Sequence, residues 1–140
     1  MRLWHYSLIP YLPRQQLLGQ HRECCALRGN GWGRKHATVD YVFRYPPAML
    51  YQYHMEVIDE MDVRGYKASP EWRDPYYRGK NCTPHTYILD AGGTIQHYPE
   101  HTFEYWNECL RNLFDKGLRE LHATIYVHHR VDRITLNLTI

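Results

Sequence analysis

Long apolar runs are missing from this chain of 140 residues. Nothing in it approaches the roughly 20 apolar residues that cross a bilayer, and Leu8-Ile9 is too short for a signal-peptide core. The expectation is a cytoplasmic protein with no membrane association. A Walker loop, a nucleotide-fingerprint glycine pattern and an HExxH pair are also missing. Gly29-x-Gly31-x-Gly33 has the wrong spacing for a nucleotide loop and no strand before it. Cysteine is sparse. Cys24, Cys25, Cys82 and Cys109, two of them adjacent, in a chain long enough to build a core, point to reduced thiols. His21 beside Cys24 and Cys25 offers a Cys–His nucleophile; two helical cysteines facing a core is the competing reading.

Net charge is also small, +2 overall, but it is unevenly placed. Residues 1–44 hold seven Lys and Arg against Glu23 and Asp40, a local excess of +5. The remaining two thirds of the chain are slightly acidic. A polyanion would therefore meet the first third, although solvated arginines on helices produce the same excess.

What is present is helical periodicity. After Pro13, Leu17, Leu18, His21, Cys24 and Cys25 recur at helical spacing, and Gly29 is placed to stop the helix. Residues 36–44 fit a short helix or a strand. Tyr45-Pro46-Pro47 opens a helix with Leu50, Tyr53, Val57 and Met61 on one face, closed by Arg64-Gly65. Tyr98-Pro99 to Lys116-Gly117 repeats the design with Phe103, Trp106, Leu110 and Leu113 on one face. The parallel fits an internal duplication or two helices obeying the same start and stop rules. From Ala123 to Ile140 apolar and polar residues alternate, which reads as a hairpin around His128–Asp132. The expected architecture is mainly α: a single-domain helical bundle with irregular connections over residues 1–122 and a β-hairpin-like tail over 123–140. The tail packs on the helices or pairs with a second chain through an open edge.

The chemistry-bearing residues cluster early. Met1-Arg2-Leu3-Trp4-His5 is followed by Leu12-Pro13-Arg14-Gln15-Gln16-Leu17-Leu18 and then Arg22-Glu23-Cys24-Cys25. Together with Arg34-Lys35-His36, the helix ending Arg64-Gly65-Tyr66, and Trp72 with Tyr76-Tyr77-x-Gly79-Lys80, these residues resemble the pyrimidine-dimer DNA glycosylases of the endonuclease V type. The resemblance covers residues 1–80, and the Arg22-Glu23 register is its strongest element. It implies a DNA-repair enzyme with no cofactor. An N-terminal α-amine, that of Met1, attacks C1′ of the damaged nucleotide, and a carboxylate matching Glu23 manages the protons of glycosylase and AP-lyase steps. An α-amine has a pKa near 8, about two units below lysine, so a useful fraction is unprotonated at neutral pH. A carboxylate beside it can orient the amine and take a sugar proton.

The same resemblance makes Arg2, Gln15, Arg22, Arg34, Lys35 and His36 candidate DNA contacts. Trp72, Tyr76 and Tyr77 offer stacking faces with Arg78 and Lys80 beside them, or form an aromatic lid on the core. The implied partner is double-stranded DNA carrying UV lesions or abasic sites. Two other readings remain: a non-catalytic nucleic-acid-binding module on the same scaffold, and an oligomeric helical protein joined through its tail. Cys82, His85, His97 and His101 are ligand types suited to zinc, but Pro99 between the two histidines prevents a preformed helical pair, and no metal is assigned.

Overall fold

A computed structural model describes residues 2–29, 38–86 and 96–139 of the chain. Within them lie three α-helices, α1 (Arg14–Gly29), α2 (Pro47–Val63) and α3 (Phe103–Asp115). An antiparallel pair follows, β1 (Glu120–Val127) and β2 (Arg130–Asn137). Short 3-10 turns at Tyr6–Tyr11, Asp40–Arg44 and Pro70–Arg73 connect them. The mainly helical architecture with a C-terminal hairpin is therefore as the sequence implies. The segment 36–44, read as helix or strand, contains the 3-10 turn at Asp40–Arg44; its residues 36 and 37 lie outside the described residues.

The start and stop signals act through their hydrogen bonds. Pro47 takes the first position of α2, where a missing N–H costs nothing. At the other end Gly65 adopts φ +82°, the Gly65 N–H bonds the Asp62 carbonyl at 3.0 Å and the Tyr66 N–H bonds the Met61 carbonyl at 2.8 Å. That is the doubly bonded helix stop that a left-handed glycine permits. Gly117, at φ +95°, closes α3 the same way, with the Leu118 N–H on the Leu113 carbonyl at 3.2 Å. The start of α3 departs from expectation. Tyr98-Pro99 leads a turn in which the His101 N–H bonds the Tyr98 carbonyl, and the helix begins only after Thr102. The Thr102 hydroxyl accepts from the Tyr105 N–H at 3.1 Å, a cap that outcompetes the proline as a helix start. The likeness to α2, which opens at its prolines, thus fails at this end.

α1 packs on α2, and Leu3, Leu8, Ile9, Leu12, Leu17, Tyr53, Val57 and Met61 form the centre of the core. Arg64 ties the end of α2 to the amino-terminal segment, donating to the Leu12 and Pro10 carbonyls at 2.7 and 3.0 Å. The tail packs inward: Leu121 and Leu138 join the core, and β1 lies against the Tyr6–Tyr11 turn. Burying a leucine of this kind stabilises by about 2 kcal/mol. The hairpin turns at His128-His129, both at positive φ (49° and 64°), as a two-residue loop between right-twisted strands requires.

Candidate active site

Residues 2–4 cross α1 instead of running off into solvent. Gln20, almost fully buried, is the reason. Its Oε1 accepts from the Trp4 N–H at 2.7 Å, and its Nε2 donates to the Arg2 carbonyl at 3.1 Å. One side chain thus satisfies both backbone groups of an extended segment, as a neighbouring strand would. The Tyr53 hydroxyl, on α2, lies 2.7 Å from both the Gln20 Oε1 and the Trp4 carbonyl and locks the junction. From the other side the Tyr105 hydroxyl of α3 donates to the Leu3 carbonyl. The Arg2 guanidinium stands 3.6 Å from the Glu108 carboxylate.

Gln20 and Glu23 are one turn apart, so they share a face of α1. Glu23 is only 4% exposed, yet it lines a cavity of about 340 Å³ together with Arg2, Trp4, Gln16, Gly19, Gln20, Thr38, Asn112 and Lys116. The amino-terminal segment and the expected catalytic carboxylate therefore meet in one hollow. Of the residues expected from sequence, Arg2 and Glu23 are brought together here. Gln15 is exposed and does not line this cavity; its neighbour Gln16 is on the wall. Met1, Arg34, Lys35 and His36 lie outside the described residues.

Arg22 is exposed and bridges to a second, wider cleft of about 610 Å³. A Cβ on Gly19 would stand 3.8 Å from the Arg22 guanidinium, so the arginine lies over the rim of the first cavity. The cleft is lined by Arg22, Trp72, Arg78 and Lys80 with His21, Cys25 and Cys82. Trp72 is half-buried and packs edge-on against Tyr77, ring centres 4.8 Å apart, with the Arg28 guanidinium 5.0 Å from the indole. Tyr76 is exposed. Arg78 donates to the Arg28 and Gly29 carbonyls at 3.0 and 2.7 Å, which satisfies the C-terminal end of α1.

Beneath this cleft lies an arrangement that the sequence did not suggest. Arg28 is buried, its guanidinium donating to the carbonyls of Trp72, Asp74 and Tyr77 at 2.8–2.9 Å and to the His54 Nδ1 at 3.0 Å. The His54 Nε2 is 2.9 Å from the His21 Nδ1, and the Cys25 Sγ lies 3.8–3.9 Å from both rings. His21, Cys25 and His54 are the one group of three metal-ligand side chains gathered among the described residues. Their donors are close enough for a single ion, but Arg28 opposes it. A guanidinium can only donate, so the His54 Nδ1 accepts and the proton sits on Nε2, the atom that a metal would need bare. The chain Arg28→His54→His21 is a hydrogen-bond relay that fastens the 70–77 segment to both helices. Burial and the neighbouring Arg28 push His54 down to about 2, and burial raises Cys25 to about 11. Neither cysteine of the pair is therefore a thiolate nucleophile, since Cys24 is pushed well up by burial too.

The zinc set considered from sequence does not assemble. His101 accepts from the Tyr6 N–H at its Nδ1 and meets the Tyr41 hydroxyl with its Nε2 at 2.7 Å. His97 stacks on Tyr6 and bonds the Glu56 carboxylate at 3.0 Å. All four cysteines are free. Sequence reasoning missed Gln20, Gln16, Asn112 and Lys116. The polar spacing Gln16, Gln20, Glu23 along one face of α1 was the available signal for the first two.

No curated protein and no solved structure matches the chain. The profile of one family does, over residues 1–74, the segment that carries the amino-terminal extension, Gln20, Glu23, α2 and Trp72. With just over half its length matched, and with the buried glutamate of that segment opening onto a cavity beside the chain's amino-terminal residues, this protein belongs to the pyrimidine dimer DNA glycosylase family.

Proposed function

We propose that the protein is a DNA glycosylase with AP-lyase activity on pyrimidine dimers or abasic sites in double-stranded DNA, working through an imine formed by its N-terminal α-amine. The observation that carries this reading is the tie between residues 2–4 and Gln20, one turn from Glu23 in a shared cavity. With Arg2 the first described residue of that strand, the amine of Met1 is at most about 3.5 Å further along the chain.

On a dimer the amine's lone pair attacks C1′, the glycosidic bond breaks and the base leaves with that bond's electron pair. Opening of the sugar ring then gives the imine. On an abasic site the amine condenses with the aldehyde and water leaves. In both cases the Glu23 carboxylate takes a proton from C2′, the C3′–O bond breaks and the 3′ phosphate departs. The second cleft supplies DNA contacts: Arg22 and Lys80 toward phosphates and Trp72 toward displaced bases, with Tyr77 packed on Trp72 and the exposed Tyr76 next to it in the chain as further aromatic faces outside that cleft. Arg78 contributes mainly by holding that cleft together.

Single-turnover cleavage of duplexes carrying a cyclobutane dimer or an abasic site tests the reading. The wild-type protein nicks at least one of them, and Glu23→Gln lowers the rate at least a hundredfold while leaving binding in place. Salt-sensitive binding without any cleavage would instead establish the non-catalytic DNA-binding module.

A further inference from the structure

The family match ends at residue 74, yet the Glu23 cavity does not. Part of its wall belongs to α3, from a region of the chain beyond the match. Tyr105, Glu108, Asn112 and Lys116 fall at i, i+3, i+7 and i+11, so they form one stripe along that helix. The upper half of the stripe grips the amino-terminal segment: Tyr105 bonds the Leu3 carbonyl, and Glu108 pairs with Arg2, whose guanidinium also lies 6.0 Å from the Tyr105 ring. The lower half, Asn112 and Lys116, continues into the cavity that holds Glu23 and Arg2. The adjoining face, Cys109 and Leu113, is buried in the core, which fixes the rotation of the helix and with it the stripe.

From this geometry we infer that Lys116, with Asn112 beside it, is a DNA-binding residue that seats a backbone phosphate at the mouth of the Glu23 cavity. Glu23 alone would repel the phosphates flanking a nucleotide brought to it. Arg2 is partly engaged by Glu108, whereas Lys116 is exposed and has no ion-pair partner among the salt bridges of the described residues. An ammonium on a flexible stem suits a phosphate oxygen, and the Asn112 amide offers a second donor one turn away. The inference rests on the Glu23 cavity being the DNA site.

The test measures equilibrium binding of a duplex carrying a tetrahydrofuran abasic-site analogue, which cannot form an imine, across a series of salt concentrations. Lys116→Gln is expected to reduce the slope of log affinity against log salt by about one unit, and Lys116→Arg to restore it. Lys67→Gln, on the exposed surface far along the chain, serves as the control and leaves the slope unchanged. A Lys116→Gln slope equal to the wild-type slope, with thermal unfolding unaltered, overturns the proposal. Because the probe is unreactive, loss of the imine mechanism would show in cleavage and trapping assays without touching this result.

Discussion

Replacing Gln20 with alanine is the sharpest perturbation of the amino-terminal architecture. The substitution removes an acceptor for the Trp4 N–H, a donor to the Arg2 carbonyl and one of two acceptors for the Tyr53 hydroxyl. These losses are unequal. Tyr53 keeps the Trp4 carbonyl at 2.7 Å, so its proton still has a partner. The Arg2 carbonyl belongs to a half-buried residue that water can reach. The Trp4 N–H, in a residue 6% exposed, is left buried and unpaired, which costs about 1–3 kcal/mol. The space vacated by the amide and its methylene adds roughly 1 kcal/mol. The sum, about 3 kcal/mol, corresponds to a fall in Tm of about 10 °C for a domain of this size. The second consequence is catalytic. On the proposed mechanism, releasing residues 2–4 lowers the cleavage rate on abasic-site DNA much further than the affinity for the unreactive analogue, because the tie that would position the attacking amine is lost. Urea unfolding and single-turnover cleavage measure the two effects. A Gln20→Ala protein within 0.5 kcal/mol of wild type, cleaving at the wild-type rate, would refute the argument.

Other expectations follow from the buried polar groups. His54 and His101 are held neutral, at about 2 and about 3, by burial first and by neighbouring positive groups second. Their folded-state values lie below the unfolded value, so their stabilisation is complete above about pH 6.5 and is lost as pH falls toward 3, where only the unfolded chain takes up the protons. Two such groups give a loss of about 3 kcal/mol per pH unit between roughly pH 6 and 4, and urea titrations that return equal stabilities at pH 7 and pH 5 would contradict it. Arg28→Lys cannot reproduce a fork that reaches three carbonyls and the His54 Nδ1. It is expected to cost about 2–4 kcal/mol and to expose the 70–80 segment to limited proteolysis; an unchanged digestion pattern would argue against the relay. Adding one equivalent of zinc should leave Tm unaltered, because Arg28 keeps the proton of His54 on the atom a metal requires. A rise of several degrees would reassign His21, Cys25 and His54 as ligands.

The parts of the fold readable in the sequence are those whose signals are local. Pro47 and Gly65 bound α2, and Gly117 ends α3, because helix starts and left-handed stops depend on residues within a turn of themselves. Tyr98-Pro99 misled for the same reason: a proline start was legible, but the competing Thr102 cap, four residues on, formed the better hydrogen bond. In α1 the apolar pattern located the helix but misjudged its buried face. Gln20 and Arg28 are buried there because their partners, Trp4, Arg2, His54 and the 72–77 carbonyls, lie 16 to 49 residues away in sequence. Buried polar residues are decided by such distant partners, which no periodicity encodes. Glu23, the carboxylate to which the proposed mechanism gives the proton transfers, was singled out in the sequence through its register with Arg22. The contribution of Asn112 and Lys116 was not, because it depends on how α3 docks against residues 2–4.

The proposed mechanism depends most directly on where the covalent intermediate forms. Borohydride reduction of the protein with abasic-site DNA, followed by digestion and mass spectrometry of the cross-linked peptide, locates the attacking nitrogen. The prediction is a single adduct on the amino-terminal peptide, at the α-amine of residue 1. An adduct on a lysine such as Lys35 or Lys116, or trapping that persists after the α-amine is blocked, would contradict it.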